Sequence, residues 1–294
     1  MTSTSPNSVN LRKRLTAKPL LQIMAVHSPL SARLAEEAGF DGLWASGFEL
    51  SALFGLPDVS LVSMSEHLDM TRRICAVSSL PVIADIDTGF GNAVNVLHTI
   101  AEYERAGAAA VVIEDKTFPK VTSLVDGGRQ ELVRVEEFQG KVEAAVAARV
   151  DHDFLIVART EALIAGAGEE EALRRAEAYV NAGADLILIH SKQSNPDEIV
   201  SFTRSWDVAA PLAVVPTTYS EFTPGLAETL GKIGLYIYGN HAIRASVSCM
   251  QKTFARIIAD NHMMSAQQSI ASLDELFRLQ GMAQVKTNEA RFLR

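Results

Sequence analysis

Two short acidic clusters stand directly after apolar runs: Asp85-Ile86-Asp87 and Glu114-Asp115-Lys116. Residues two apart on an extended chain share a side, so Asp85 and Asp87 would face the same way if a strand continues through them. With Glu114 they form a three-carboxylate set that suits magnesium, a hard cation that takes one or two carboxylates and keeps several waters. Helix capping or turn formation explains one such aspartate more readily than it explains the trio. Arg159 closes another apolar run, in Ala158-Arg159-Thr160-Glu161. A buried arginine needs an anion. Glu161 or Glu114 would serve structurally, and a phosphoryl or carboxylate group of a ligand would serve functionally; a site for a dianion favours the second. His190, in His190-Ser191-Lys192, reads as a proton donor, a ligand orienter or a hydrogen-bonded rim histidine.

Two loops accompany these residues. Thr88-Gly89-Phe90-Gly91-Asn92 invites comparison with a dinucleotide fingerprint, but Val94 stands where the third glycine belongs. It is read instead as a flexible active-site loop. The segment from Lys116 to Leu124 carries two lysines and several hydroxyls. It suits a lid that excludes water, or an ordinary solvated loop with its lysines facing out.

Something must bring these side chains together. Apolar runs expected to be strands cover Leu20–His27, Asp41–Ser46, Pro81–Asp85, Ala109–Glu114, Phe154–Arg159, Leu186–His190, Leu212–Pro216 and Leu235–Gly239. Between them, helical patterns run through Pro29–Ala38, Ser65–Ala76, Ala93–Ala106, Val135–Ala148, Glu169–Ala182, Pro196–Ser205, Thr223–Ile233 and Asn240–Asn261. Ala38-Gly39, Ala106-Gly107 and Ala182-Gly183 repeat one helix-ending joint, with Ile233-Gly234 as a weaker fourth. Eight β-then-α units point to an α/β fold, a single (βα)8 TIM-type barrel, whose chemistry sits at the C-terminal ends of its strands. Residues 1–294 are expected to be one domain, with a helical tail from about 262. In that tail Leu273–Gln280 shows an apolar face suited to packing on another subunit or on its own barrel.

Bulk properties narrow the function. Hydrophobic residues make up 48% and charged residues 21% of the 294, enough to build a large core rather than a disordered chain. A net charge of −8 without a basic block argues against nucleic acid and acidic membrane surfaces as partners. Cys75 and Cys249 form no CxxC or Cys/His cluster, which fits a reducing cytoplasm. The polar stretch Met1 to Lys18 has no signal-type apolar region, and no apolar run is long enough to span a bilayer.

The string Glu114-Asp115-Lys116-Thr117-Phe118-Pro119-Lys120, with Asp85-Ile86-Asp87-Thr88-Gly89-Phe90-Gly91-Asn92, resembles the isocitrate lyase/phosphoenolpyruvate mutase superfamily. Trp44-Ala45-Ser46-Gly47, Pro57-Asp58, Ala158–Ala162, His190-Ser191-Lys192 and Gly239-Asn240-His241 extend the likeness through nearly the whole chain. The resemblance implies a Mg2+-dependent barrel, with Mn2+ or Co2+ as substitutes, that acts on a small 2-oxo acid through an enolate. It implies Asp85 on the metal, with Asp87 and Glu114 holding its waters. Ser46 and the amides of Gly47 and Phe48 would cradle the substrate, together with Trp44, Arg159 and Ser123. Asp58, Lys120, Thr122 and His190 would be catalytic, and a C-terminal helix would be exchanged in a homodimer or homotetramer. The lyase members carry a cysteine and a histidine in the gate loop, where this chain reads Lys120-Val121-Thr122-Ser123. The mutases have asparagine at the place of Thr122, and the hydrolases that act on phosphonopyruvate have threonine. Gly128-Arg129-Gln130-Glu131-Leu132-Val133 also resembles the latter, while Val121 replaces an expected polar residue. The implied activity is hydrolysis of the carbon–phosphorus bond of 3-phosphonopyruvate. The mutase reaction is the alternative, followed by an oxo-acid lyase or decarboxylase; a non-catalytic oxo-acid sensor has little use for a full metal site.

Overall fold

The computed structural model describes residues 6–125 and 127–294, so Met1–Ser5 of the polar terminus lie outside the described residues. Its strands are Leu21–Val26 (β1), Gly42–Ala45 (β2), Val82–Asp85 (β3), Ala110–Glu114 (β4), Leu155–Thr160 (β5), Leu186–Ile189 (β6), Leu212–Val214 (β7) and Ile233–Tyr238 (β8). They close into a barrel in chain order, every neighbouring pair parallel. The helices are Pro6–Ala17 (α1), Pro29–Glu37 (α2), Gly47–Leu53 (α3), Met64–Val77 (α4), Ala93–Arg105 (α5), Val135–Ala148 (α6) and Glu169–Asn181 (α7). Asp197–Ser205 (α8), Pro224–Leu230 (α9), His241–Asp260 (α10), Met264–Gln267 (α11), Leu273–Gln280 (α12) and Met282–Phe292 (α13) follow. The expected (βα)8 barrel is the observed fold. The chain divides into two compact units between His241 and Ala242.

Strand alternation sorts the barrel's side chains. Ile23, Ala25, Ile83, Val112, Leu155, Val157, Leu186, Leu188, Leu235 and Ile237 share one buried cluster, the barrel interior. Their outward neighbours, among them Val111, Ile113, Ile156, Ile187 and Ile189, belong to the separate cluster shared with helix residues Ile100, Phe138, Tyr179 and Phe202. Burial on both faces explains why the strands read as continuous apolar runs.

Gly39, Gly107 and Gly183 take φ of 87°, 93° and 103°, as their shared joint with the preceding helix requires. The fourth joint is displaced. Gly231 (φ 69°) caps α9, whereas Ile233 and Gly234 already lie in β8. The polar N-terminus also does more than its composition suggests. It forms α1, whose Leu11 is fully buried in the interior cluster. A Cβ on Gly234 would stand 3.1 Å from Leu15, which puts this helix at the start of β8, the end of the barrel away from the strands' C-termini.

Candidate active site

Followed upward, the inward alternation of each strand leads to a residue at the C-terminal mouth. Leu21-Ile23-Ala25 leads to His27, Trp44 to Ser46, Ile83 to Asp85, and Val112 to Glu114. Leu155-Val157 leads to Arg159, Leu188 to His190, Ala213-Val215 to Thr217, and Leu235-Ile237 to Gly239. Lateral register then pairs them. Glu114 is the direct neighbour of Arg159, so Arg159 Nε lies 3.2 Å from Glu114 Oε2.

β3 stops at Asp85, so Asp87 does not reach the site by strand alternation. Asp85 Oδ1 accepts from the Asp87 amide at 3.2 Å, and Asp87 turns back with φ of 50°. The start of the loop that follows is closely packed. A Cβ on Gly89 would lie 2.6 Å from Val96 and 2.8 Å from Ile113, and buried Lys141 donates to the Thr88 carbonyl at 2.9 Å. Asn92 caps α5 by accepting from the amides of Val94 and Asn95. Across the mouth, Ser46 caps α3 through the Glu49 amide. Gly47 lies close against the two carboxylates: a Cβ there would stand a tight 3.1 Å from Asp87 Oδ1 and 3.5 Å from Asp85 Oδ2.

The segment after β4 is anchored by its two lysines, which are 2% and 5% exposed rather than facing solvent. Lys116 Nζ donates to the Val121 carbonyl (2.8 Å) and Ser123 Oγ (2.7 Å) and pairs with Glu161 Oε2 at 3.0 Å. Lys120 Nζ lies 2.6 Å from Asp87 and 3.0 Å from Asp58. Glu161, fully buried, is the hub on the opposite side. It accepts from Arg159 Nε (2.6 Å) and Ser123 Oγ (2.5 Å), and His190 Nδ1 lies 3.2 Å away. Arg159 thus makes both of its anticipated carboxylate pairs while also lining the cavity.

Electrostatics follow from this packing. Burial raises Glu114 to about 7 and Asp87 to about 6, each against an opposing cation, Arg159 and Lys120 respectively. Burial also works against the Lys120 proton, but Asp87 and Asp58 hold it well above the ordinary lysine range. Burial would raise Glu161 as well; the Arg159 charge overrides it and keeps its carboxyl well below the usual range. His190 is pushed down by burial and then by Arg159, whose Nη2 donates to its Nδ1 at 2.9 Å.

Among the described residues, no three His, Cys, Asp or Glu side chains form a ready-made cation cage. The donor set nonetheless fits magnesium. Asp85 borders the cavity, Asp87 touches Asp85, and buried Glu114 Oε1 has no hydrogen-bond partner. One direct carboxylate with two more behind retained waters is how this cation is commonly held.

One cavity gathers most of the residues picked out in the sequence: Trp44, Ser46, Phe48, Asp58 and Asp85, with Lys120, Thr122, Ser123, Arg159 and His190. Gly47, Asp87 and Glu114 stand behind this lining, in contact with it. Sequence reasoning missed Thr217, a lining residue whose buried hydroxyl has no hydrogen-bond partner. Carrying the strand-end rule to β7 would have found it. The hub role of Glu161 and the His27–Glu49 pair (2.7 Å) carried no distinctive sequence signal.

A parallel barrel with carboxylates, an arginine and a buried lysine around one cavity at its C-terminal mouth has the layout of a metal-assisted enzyme for a small polyanion. The family model described as phosphoenolpyruvate phosphomutase matches residues 11–258, and the chain belongs to that family. It is 55% identical to the phosphonopyruvate hydrolase of Variovorax sp. (strain Pal2) over 284 residues, covering 97% of this chain and 98% of that one. A crystal structure of a phosphonopyruvate hydrolase complexed with oxalate and Mg2+ matches with a TM-score of 0.93 at 52% identity, covering 98% and 99% of the two chains. The phosphoenolpyruvate phosphomutase of Streptomyces platensis subsp. rosaceus matches with a TM-score of 0.96 at 45% identity, covering 98% of this chain and all of that one.

Proposed function

We propose that this protein hydrolyses the carbon–phosphorus bond of 3-phosphonopyruvate, giving pyruvate and phosphate. The observation that carries the reading is Thr122, a short hydroxyl residue, on the cavity wall between Lys120 and Ser123. A hydroxyl there leaves room for a water and can orient it. The amide of the mutases would instead hold the phosphoryl group for return to oxygen. The 55%-identical relative supports the same choice.

The chemistry balances as follows. Water oxygen bonds to phosphorus as the C–P bond breaks, and the electron pair passes to the methylene carbon, delocalised as the pyruvate enolate. One water proton ends on that carbon to make the methyl group, and the other leaves with phosphate. Mg2+, when bound, stabilises negative charge on the enolate oxygen. Asp85 would hold it directly, with Asp87 and Glu114 engaging its waters. Ser46 and the Gly47 and Phe48 amides would bind the carboxylate and enolate end. Arg159, fixed by Glu161 and His190, would offset charge on the transferring phosphoryl group, and Lys120 would do so from the gate side. Asp58, paired with Lys120, would face the phosphoryl group. The cavity-lining hydroxyl of Thr217 adds a further contact for bound oxygen atoms.

The protein is proposed to be a cytoplasmic homodimer or homotetramer that exchanges a tail helix. On α12, Leu273 and Phe277 are 65% and 47% exposed, an apolar surface suited to a second copy. Among the described residues no helix is long and apolar enough to cross a membrane. Light scattering at micromolar concentration that finds only monomer would remove the assembly.

The test of the activity is incubation with phosphonopyruvate and Mg2+, with pyruvate, phosphate and phosphoenolpyruvate assayed together beside an EDTA control. Equimolar pyruvate and phosphate, lost on chelation, is the expected result. Phosphoenolpyruvate without phosphate would establish the mutase reading instead, which the likeness to the Streptomyces enzyme supports. Thr122→Asn should slow phosphate release at least tenfold and let phosphoenolpyruvate appear; an unchanged rate would remove the role given to Thr122.

A further inference from the structure

Three consecutive gate residues are held by side chains from neighbouring positions. Lys116 takes the Val121 carbonyl at 2.8 Å, and Ser123 Oγ is bonded by Lys116 and Arg159 at 2.7 and 3.0 Å. Between them, the Thr122 carbonyl accepts from Gln130 Nε2 at 3.0 Å. We propose that Gln130 is a positioning residue for the hydrolysis, setting the place of Thr122 so that its hydroxyl can aim the attacking water.

Gln130 is anchored well enough to do this. It lies on a return segment tied to the end of β4 by an antiparallel bridge between Lys116 and Leu132. The Thr117 amide bonds to the Glu131 carbonyl at 3.0 Å, and the Val133 amide to the Asp115 carbonyl at 2.9 Å. The brace is also close-packed. A Cβ on Gly128 would stand 3.0 Å from Val121 Cγ1 and 3.2 Å from Gln130 Nε2, so the return segment lies close against the gate here. Neither Gly128 nor Gln130 lines the cavity, and the bond to Thr122 is the one hydrogen bond of the Gln130 side chain among the described residues. A glutamine placed this way acts through its neighbour rather than on substrate. Reactions that depend on an oriented nucleophile lose about 100-fold in rate for about 1 Å of misplacement, so a loosened Thr122 should cost turnover more than binding.

The proposal rests on the hydrolase reading, and its test separates the two. Gln130→Met keeps the volume and removes the donor; Gln130→Glu keeps the shape and sets an acceptor against the carbonyl. Each should lower kcat for phosphate release about 10- to 100-fold, with KM for phosphonopyruvate within about threefold. Combined with Thr122→Val, Gln130→Met should add no further loss, because the pair acts as one unit. Amide hydrogen exchange over residues 119–125 should quicken in both Gln130 variants, a readout that needs no turnover. Unchanged exchange would overturn the brace, and additive losses in the double variant would overturn its action through Thr122. A wild-type protein that releases no phosphate would overturn the hydrolase reading while exchange still judged the brace.

Discussion

Replacing Glu161 by Gln tests the buried charge cluster that the active site is built on. Glu161 and Glu114 face Arg159 and Lys116 in a region where Glu161 is fully buried and Lys116 is 2% exposed. Glu161 is held well below the usual carboxylate range, whereas Glu114, raised to about 7, carries only part of its charge near neutrality, so Glu161 is the main counter-charge of the two cations. Glutamine keeps the shape of the hub but leaves one buried cation without a counter-charge, a change that costs about 3–5 kcal/mol. For a barrel of this size, about 2–4 °C of melting temperature accompanies each kcal/mol, so a drop of about 6–20 °C is expected. Glu114→Gln should behave differently. Burial already holds Glu114 at about 7, so the folded protein keeps much of that proton near neutrality and loses little, about 3 °C or less, when the charge is deleted. Glu161 is depressed below its ordinary value of 4.5. Its stabilising contribution is therefore complete above about pH 4.5 and fades as pH falls through the folded value, so the melting gap between wild type and Glu161→Gln should close in acid. Calorimetric scans of the three proteins from pH 3.5 to 8 provide the measurement. Equal melting temperatures for wild type and Glu161→Gln at pH 7 would refute the charge argument.

Magnesium uptake should release protons, because folded, metal-free protein holds Glu114 at about 7 and Asp87 at about 6 against ordinary values of 4.5 and 3.8. Those raised values also make the metal-free fold less stable as pH climbs from about 4 to 7, and apparent Mg2+ affinity should fall roughly tenfold from pH 7 to 6. Calorimetric titration in two buffers of different ionisation enthalpy reads the protons; none released at pH 6 would contradict the assignment. Gly47→Ala should weaken Mg2+ binding about 10- to 100-fold by crowding Asp87 and Asp85, with little change in melting, as equilibrium titration would show. Leu11→Ala removes a fully buried side chain far from the chemistry. It should cost about 2–5 kcal/mol in urea unfolding while leaving kcat unchanged.

The barrel was legible because its signals are local and repeated. Buried parallel strands read as apolar runs, and Gly39, Gly107 and Gly183 mark the same turn three times. The mouth was legible for a related reason: in Leu155-Val157-Arg159 the inward alternation that fills the core simply continues into a charged residue. Where backbone departs from that alternation, legibility fails. Asp87 arrives by a left-handed turn, α3 is a single short element hidden behind Ser46-Gly47, and α1 buries Leu11 from a mostly polar stretch.

The partners of a charge were harder still to read than the charge itself. Lys116 could equally have faced water, and nothing near it in sequence announces that Glu161, forty-five positions on, lies 3.0 Å away. Register supplies that information: β4 and β5 pair Glu114 with Arg159, so the residues just past each strand end meet as well. The same register ties the gate to the hub through Ser123, which bonds Lys116, Arg159 and Glu161 together. The group proposed to grip phosphoryl and the loop proposed to aim water are therefore parts of one buried network, and a change that moves either should be felt by both.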